Sequence, residues 1–311
     1  MLFRTLVIVA CACLWLLPAQ ASAAHITCGD MITGDVVLDG DVICDETATE
    51  GLVIGGDDIT VWLEGHSIIG AGGDLPGTDG IRDDGSPRSG VTIRGGTVTG
   101  FEDGIDLDAD DSEVKGMRVE SVGSLGMSVR GARNYVYRNT TDSAGFAGIE
   151  AIGEDAYLWG NHVLGTPDDG IIVDGEDPRV VLNSVQGCAF DGIIVTGYSA
   201  GIVARNNVTG CDIGFSPSGR GLKLQTNEAT GNCIGMFVDD PGALVRWNTA
   251  SDNCSEGIIV GQAGATLSKN TANNNVDIGI DAVLGTIDGG GNTATGNDVD
   301  CLGVVCDPVV P

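Results

Sequence analysis

The sequence predicts an all-β chain, a single-stranded right-handed parallel β-helix or β-solenoid of about 22 residues per coil. Three observations predict it. A Gly-apolar-x-apolar phrase recurs on a fixed beat, and an Asn phrase keeps the same beat. No stretch carries helical spacing over the roughly ten residues a helix needs.

The first phrase reads Gly104-Ile105-Asp106-Leu107, Gly126-Met127-Ser128-Val129, Gly148-Ile149-Glu150-Ala151, Gly170-Ile171-Ile172-Val173 and Gly192-Ile193-Ile194-Val195. It continues at Gly214, Gly235, Gly257 and Gly279. Successive glycine numbers differ by 22 at every step but the one from Gly214 to Gly235, where they differ by 21. Gly51-Leu52-Val53-Ile54 and Gly80-Ile81 extend the phrase less regularly toward the start. Apolar residues alternate within each phrase, so the elements are strands with one face inward. The Gly before each strand is expected to permit a sharp bend.

The second phrase begins at Asn139, Asn161, Asn183, Asn206, Asn227, Asn248, Asn270 and Asn292. Stacking one coil on the next sets equivalent residues about 4.8 Å apart. A recurrent Asn at a corner then bonds its counterpart and nearby backbone groups as a buried ladder. A leucine-rich repeat would need Leu-x-x-Leu-x-Leu spacing and a helical half, and a propeller a period of about 40 residues. The sequence has neither.

The start of the chain reads as a secretory signal. Met1 to Arg4 carries one positive charge, Thr5 to Leu17 is apolar, and Ala21-Ser22-Ala23 is a small-x-small cleavage site. The expected division is residues 1–24 as signal peptide and 25–311 as the β-helix domain, in a secreted or periplasmic protein. No other stretch has spanning length. The formal net charge of −29 disfavours nucleic acid and other polyanions as partners.

Ten cysteines are present and eight follow the signal, an even number that reads as disulfides in an exported chain. The numbers of Cys188, Cys211, Cys233 and Cys254 step by 23, 22 and 21, which places them at one corner on successive coils. The first two stand five positions after their Asn and the last two stand six after theirs. Matched offsets predict Cys188–Cys211 and Cys233–Cys254. Cys28 and Cys44 are expected to tie down the first coil, and Cys301 and Cys306 to close a small loop at the other end.

From Cys28 to Asn292 the chain resembles the right-handed parallel β-helix repeat proteins of the pectate-lyase superfamily, in the form of exported bacterial members of unassigned activity. The opening carries the resemblance: Thr27-Cys28-Gly29-Asp30-Met31, then Ile59-Thr60-Val61-Trp62-Leu63-Glu64-Gly65-His66-Ser67-Ile68 and Val91-Thr92-Ile93-Arg94-Gly95-Gly96-Thr97-Val98. The resemblance implies the fold and, through its lyases, hydrolases, epimerases, spikes and adhesins, many activities. The Arg-x-Lys motif of polygalacturonases and the Asp-Pro-His motif of alginate epimerases are missing. Asp168-Asp169-Gly170 is similar to the Asp pair of the former.

Within the Gly phrase the residues between the apolar ones face outward in two columns. The first begins Asp106, Ser128, Glu150, Ile172 and the second Asp108, Arg130, Ile152, Asp174. The expected binding face is Asp106, Asp108, Arg130, Glu150 and Asp174, where carboxylates accept from sugar hydroxyls and an Arg donates. Paired carboxylates can also cleave glycosides, which makes Asp106, Glu150, Asp168 and Asp169 the candidate catalytic residues. No metal or cofactor is required by this pattern. Asp108, Asp110 and Asp111 are a loose candidate set for Ca²⁺, although EF-hand spacing fails at Asp111 and Met117. The expected function is display of a surface for an extracellular polysaccharide or cell surface. The alternative is a polysaccharide-active enzyme, a glycoside hydrolase or a lyase or epimerase relative.

Overall fold

The protein, seen as a computed structural model, is described over residues 22–72, 76–197 and 201–307. Most of the expected signal peptide, residues 1–21, lies outside the described residues. Ser22–Ala24, at the expected cleavage boundary, is a strand in parallel register with Val36–Leu38.

Each full coil of the described residues contributes one short strand to each of three parallel sheets, which hold 14, 13 and 12 described strands. Sheet I, of 14, contains the Gly-apolar phrases, from Asp30–Ile32 through Asp103–Asp110 to Val299–Leu302. Sheet II, of 13, includes Thr92–Arg94, Tyr135–Tyr137 and Leu244–Arg246. Sheet III, of 12, includes Arg118–Val122 and Thr140–Ala144. Strands alternate inward and outward residues, and the inward ones form one continuous core of Ile, Val, Leu and Ala along the axis. Among the described residues no helix is long and apolar enough to cross a membrane.

The repeated glycines are required for a different reason from the one the sequence suggested. Gly104 and Gly170 do not have positive φ. A Cβ at Gly104 would instead collide with Val119 and the carbonyl of Gly126 on the next coil. At Gly170 it would collide with Val185 and the carbonyl of Gly192. Close approach of coil to coil, not a bend, demands glycine there.

The Asn ladder is present. Asn183 Nδ2 donates to Asn206 Oδ1 at 3.0 Å and to the Leu158 carbonyl at 3.1 Å. Asn183 Oδ1 accepts from the backbone N and the side chain of Asn161, both at 2.9 Å. Asn161 through Asn270 repeat this, Asn139 and Asn292 end the ladder on Met117 and Asp288, and all of them are at most 1% exposed. Residues just before ladder asparagines are left-handed: Arg138, Leu182, Arg205, Trp247 and Lys269 all have φ of 55–60°. This conformation turns the chain from sheet II to sheet III and leaves those five side chains exposed.

Cys28–Cys44, Cys188–Cys211 and Cys301–Cys306 are disulfides. The expected Cys233–Cys254 bridge is not formed, and both residues are thiols. The reason is the one-residue difference in offset. Offset five faces inward: Cys188 and Cys211 are buried, and Asn232 and Asn253 continue their column. Offset six faces outward, so Cys254 is exposed and Cys233 half-buried. The Cys233 thiol is pushed up to about 11, first by its hydrogen bond with Cys254 and then by burial.

Candidate functional site

The outer face of sheet I has the register the sequence implied. Asp106 pairs with Ser128, Ser128 with Glu150 and Glu150 with Ile172. In the second column Asp108 pairs with Arg130, Arg130 with Ile152 and Ile152 with Asp174.

Side-chain bonding then selects among these residues. Arg130 Nη2 donates to Asp106 Oδ1 at 2.6 Å, and Arg130 Nη1 donates to Ser128 Oγ at 2.7 Å. Ser128 Oγ donates in turn to Glu150 Oε2 at 3.0 Å. Three of the five expected binding residues are thereby joined across three coils. Ser128 faces outward by register yet is wholly buried, because Arg130 and Glu150 close over it. Asp106 and Arg130 keep 28% and 38% of their side-chain surface exposed, enough for both to reach a ligand.

Asp108 and Asp174 stand apart from this relay. The Asp108 backbone N donates to the buried Asp83 carboxylate at 2.8 Å. Asp174 accepts from Thr196 Oγ1 at 2.9 Å and lines a recess of about 450 Å³ with Gly197, Ser218 and Arg220. The loose calcium set does not converge either. Asp110 accepts from the Ala132 backbone at 2.7 Å, and Asp111 is forked to Arg133 at 2.6 and 2.8 Å. Among the described residues no three His, Cys, Asp or Glu side chains are placed to hold a metal ion.

The sequence reading noted Asp103 among the turn acids but missed Glu50 and Asp79, which extend the relay toward the N-terminus with it. The residue just before each Gly stacks in a third column, where Glu50 pairs with Asp79 and Asp79 with Asp103. Asp79 is raised to about 6, chiefly by burial and then by the Asp106 and Asp103 carboxylates; Arg82 opposes the shift. Asp103 is also raised by burial, against a 2.7 Å hydrogen bond from the Leu125 backbone. Arg82 pairs with Glu50 at 3.2 Å and lies in register with Asp106. The signal for Asp79 was present in Asp79-Gly80-Ile81, the same wording as Asp103-Gly104-Ile105. The irregular length of the first coils obscured it.

Asp168 and Asp169 form no hydrogen bond with Asp106 or Glu150. Asp169 accepts from the Asp191 backbone at 2.9 Å, and the carboxyls of Asp169 and Asp191 are both raised, mainly by burial. They make a second, smaller stack of acids beside sheet I.

A family described as "Right handed beta helix region" matches residues 103–233 and 147–299. No curated protein matches the sequence. Among solved structures, the A-module of a mannuronan C-5 epimerase from Azotobacter vinelandii aligns with a TM-score of 0.61 at 13% identity, over 89% of this chain and 91% of that one. A double mutant of the tailspike protein of E. coli bacteriophage HK620, in complex with a pentasaccharide, aligns with a TM-score of 0.49 at 12% identity, over 84% and 60%. At 13% identity the likeness to the epimerase A-module shows a shared fold.

Proposed function

The chain belongs to the right-handed β-helix family, and on that scaffold we propose that it binds a neutral glycan along the outer face of sheet I, across the coils from Glu50 to Glu150. The observation that carries this reading is the Asp106–Arg130–Ser128–Glu150 relay. Its carboxylates offer acceptors and its guanidinium a donor, all on rigid strands held at about 4.8 Å spacing. Sugar hydroxyls both donate and accept, so they match such an alternating row. The acidic surroundings favour an uncharged chain over a polyanion on this face. The partner on this reading is an extracellular polysaccharide or a cell surface, met by a secreted or periplasmic protein.

The test is glycan retention on a neutral polysaccharide panel. The Asp106→Ala, Arg130→Ala, Glu150→Ala triple variant should lose retention while keeping its melting temperature within a few degrees. Full retention by that variant would overturn the assignment.

A polysaccharide-active enzyme is the second reading, and Asp79 favours it. A carboxyl that keeps its proton to about pH 6 beside other carboxylates is the arrangement acid catalysis of glycoside cleavage uses. Product analysis after incubation with the same panel separates the two readings. New reducing ends made by the wild type, and lost in Asp79→Asn, would establish the enzyme.

A further inference from the structure

The cations of this acidic chain are gathered on one face. The strands of sheet II carry Arg94, Lys115, Arg179, Lys223 and Arg246. The turns at its edges add Arg138, Arg205 and Lys269 on one side and Arg133 and Arg220 on the other. These five and five are ten of the chain's 15 Lys and Arg. The rings are gathered there too: Trp62 and Trp159 lie on sheet II strands and Trp247 directly follows one, three of the chain's 4 Trp. Tyr135, Tyr137 and Tyr157 share the same face.

Self-neutralisation does not explain the grouping. With 44 Asp and Glu available, only Lys115 and Arg133 of these ten hold a carboxylate within ion-pair distance among the described residues. Four of the others lie against rings instead. Arg94 is 5.4 Å from the Trp62 centroid and Arg138 is 4.7 Å from that of Trp159. Arg246 and Lys269 lie 4.6 and 5.6 Å from Trp247. A guanidinium stacked on a ring is held in place while in-plane N–H groups that have no partner can meet an anionic group. Arg246 donates Nε and Nη2 to Gln225 Oε1 at 3.1 and 2.8 Å and offers its Nη1 edge.

We propose that the outer face of sheet II is a docking strip for an acidic polysaccharide, lying along the helix axis. Ring-stacked cations meet its charged groups, and the ring surface left open meets the C–H faces of its sugars. Tyr135 and Trp247 are about half exposed, and Tyr135 and Tyr157 stand with centroids 5.6 Å apart on adjacent coils. Arg133, Tyr135, Tyr157 and Arg179 line one recess of about 410 Å³ together with Asp111 and Asp155. Glu154, Asp155, Glu176 and Asp177 flank the strip in the turns from sheet I. A planar anionic membrane would press on those acids, whereas a single polymer strand lies between them. The strip is on a different face from the sheet I site, so the two assignments stand or fall separately.

The test is electrophoresis of the full chain through gels containing carboxymethyl dextran, dextran sulfate or unmodified dextran. At low salt, at least one acidic dextran should retard the protein and the neutral one should not. Arg138→Gln with Arg246→Gln should weaken retardation at least about tenfold, a loss of about 1.4 kcal/mol, since each variant removes a charge-assisted donor. Arg118→Glu, on sheet III, changes the net charge by the same two units and should alter retardation by less than about twofold. All three positions are exposed or half-exposed in turns and strand ends, so the variants keep the wild-type fold by circular dichroism. Absence of retardation in both acidic gels, or equal loss in Arg118→Glu, would overturn the proposal. So would tighter binding of oligo(dT) or phosphatidylglycerol vesicles than of either acidic dextran.

Discussion

Arg130 pairs with Asp106, not with Asp108, its direct neighbour in register. The guanidinium reaches diagonally across one coil to the first column, where Ser128 and Glu150 complete the relay. Because Asp106 and Arg130 are both partly exposed, solvent screens most of the attraction. Arg130→Ala alone should therefore cost less than about 1 kcal/mol of stability. Urea titration of wild type, Arg130→Ala, Asp106→Ala and the double variant measures the coupling directly. A coupling above about 2 kcal/mol, beyond what exposed pairs supply, would mean that the pair is a structural clamp.

Asp79 should leave a mark on the pH dependence of stability. The folded carboxyl holds its proton to about pH 6, and the ordinary value is 3.8. Between those values the folded chain binds more protons than the unfolded one, so this contribution is full below the lower value, declines as pH rises, and is gone above about 6. Asp79→Asn should thus gain on the wild type as pH rises from about 4 to about 7, by roughly 1–3 kcal/mol. Parallel melting curves at the two pH values check it. A constant difference would show that Asp79 titrates normally.

The thiols and the bridges should separate by peptide mapping without reduction. Iodoacetamide on the native chain should label Cys254 and, more slowly at pH 8, Cys233, whose thiol is raised to about 11. Cys188 and Cys211 should be recovered as one cross-linked pair. Recovery of a Cys233–Cys254 pair instead would show that the outward dithiol closes.

Asn183→Leu should be among the most damaging single changes in the ladder. It removes the side-chain donor to the Leu158 carbonyl and leaves the Asn161 backbone N–H and one N–H of the Asn161 amide without their acceptor, all of them buried; the Asn161 amide keeps its bond to the Val136 carbonyl. Each orphaned group costs about 1–3 kcal/mol, so a large fall in melting temperature is expected. An unchanged melt would place Asn183 in solvent.

Gly170→Ala tests why the repeated glycines are there. A methyl group would meet Val185 and the Gly192 carbonyl of the adjacent coil. Its cost should be about 1–3 kcal/mol, as for other overpacked sites, whereas Ala at a glycine that is not left-handed and met no neighbour would be neutral or stabilising by up to about 1 kcal/mol. Thermal melting of the variant decides between them.

Much of this molecule was legible because a solenoid turns sequence period into spatial neighbourhood. A beat of about 22 residues fixes which side chains stack, and period-two alternation fixes which of them face inward. Hence the Asn ladder, the two outward columns and the Cys188–Cys211 bridge all followed from numbering alone. Numbering does not measure how far a side chain reaches or how deeply it is buried. Arg130 could take either Asp106 or Asp108, and only the packed face chose the diagonal. The one-residue offset of Cys233 and Cys254 looked like a matched pair in sequence, but in the coil it is the difference between core and surface. Asp79 became unusual only when folding set it beside Asp103 and Asp106 with little water. The cations scattered from Arg94 to Lys269 became one strip only when successive turns brought them onto sheet II. Stacking is a property of the repeat; charge, reach and solvent access belong to the assembled surface, where coils distant along the chain share one face.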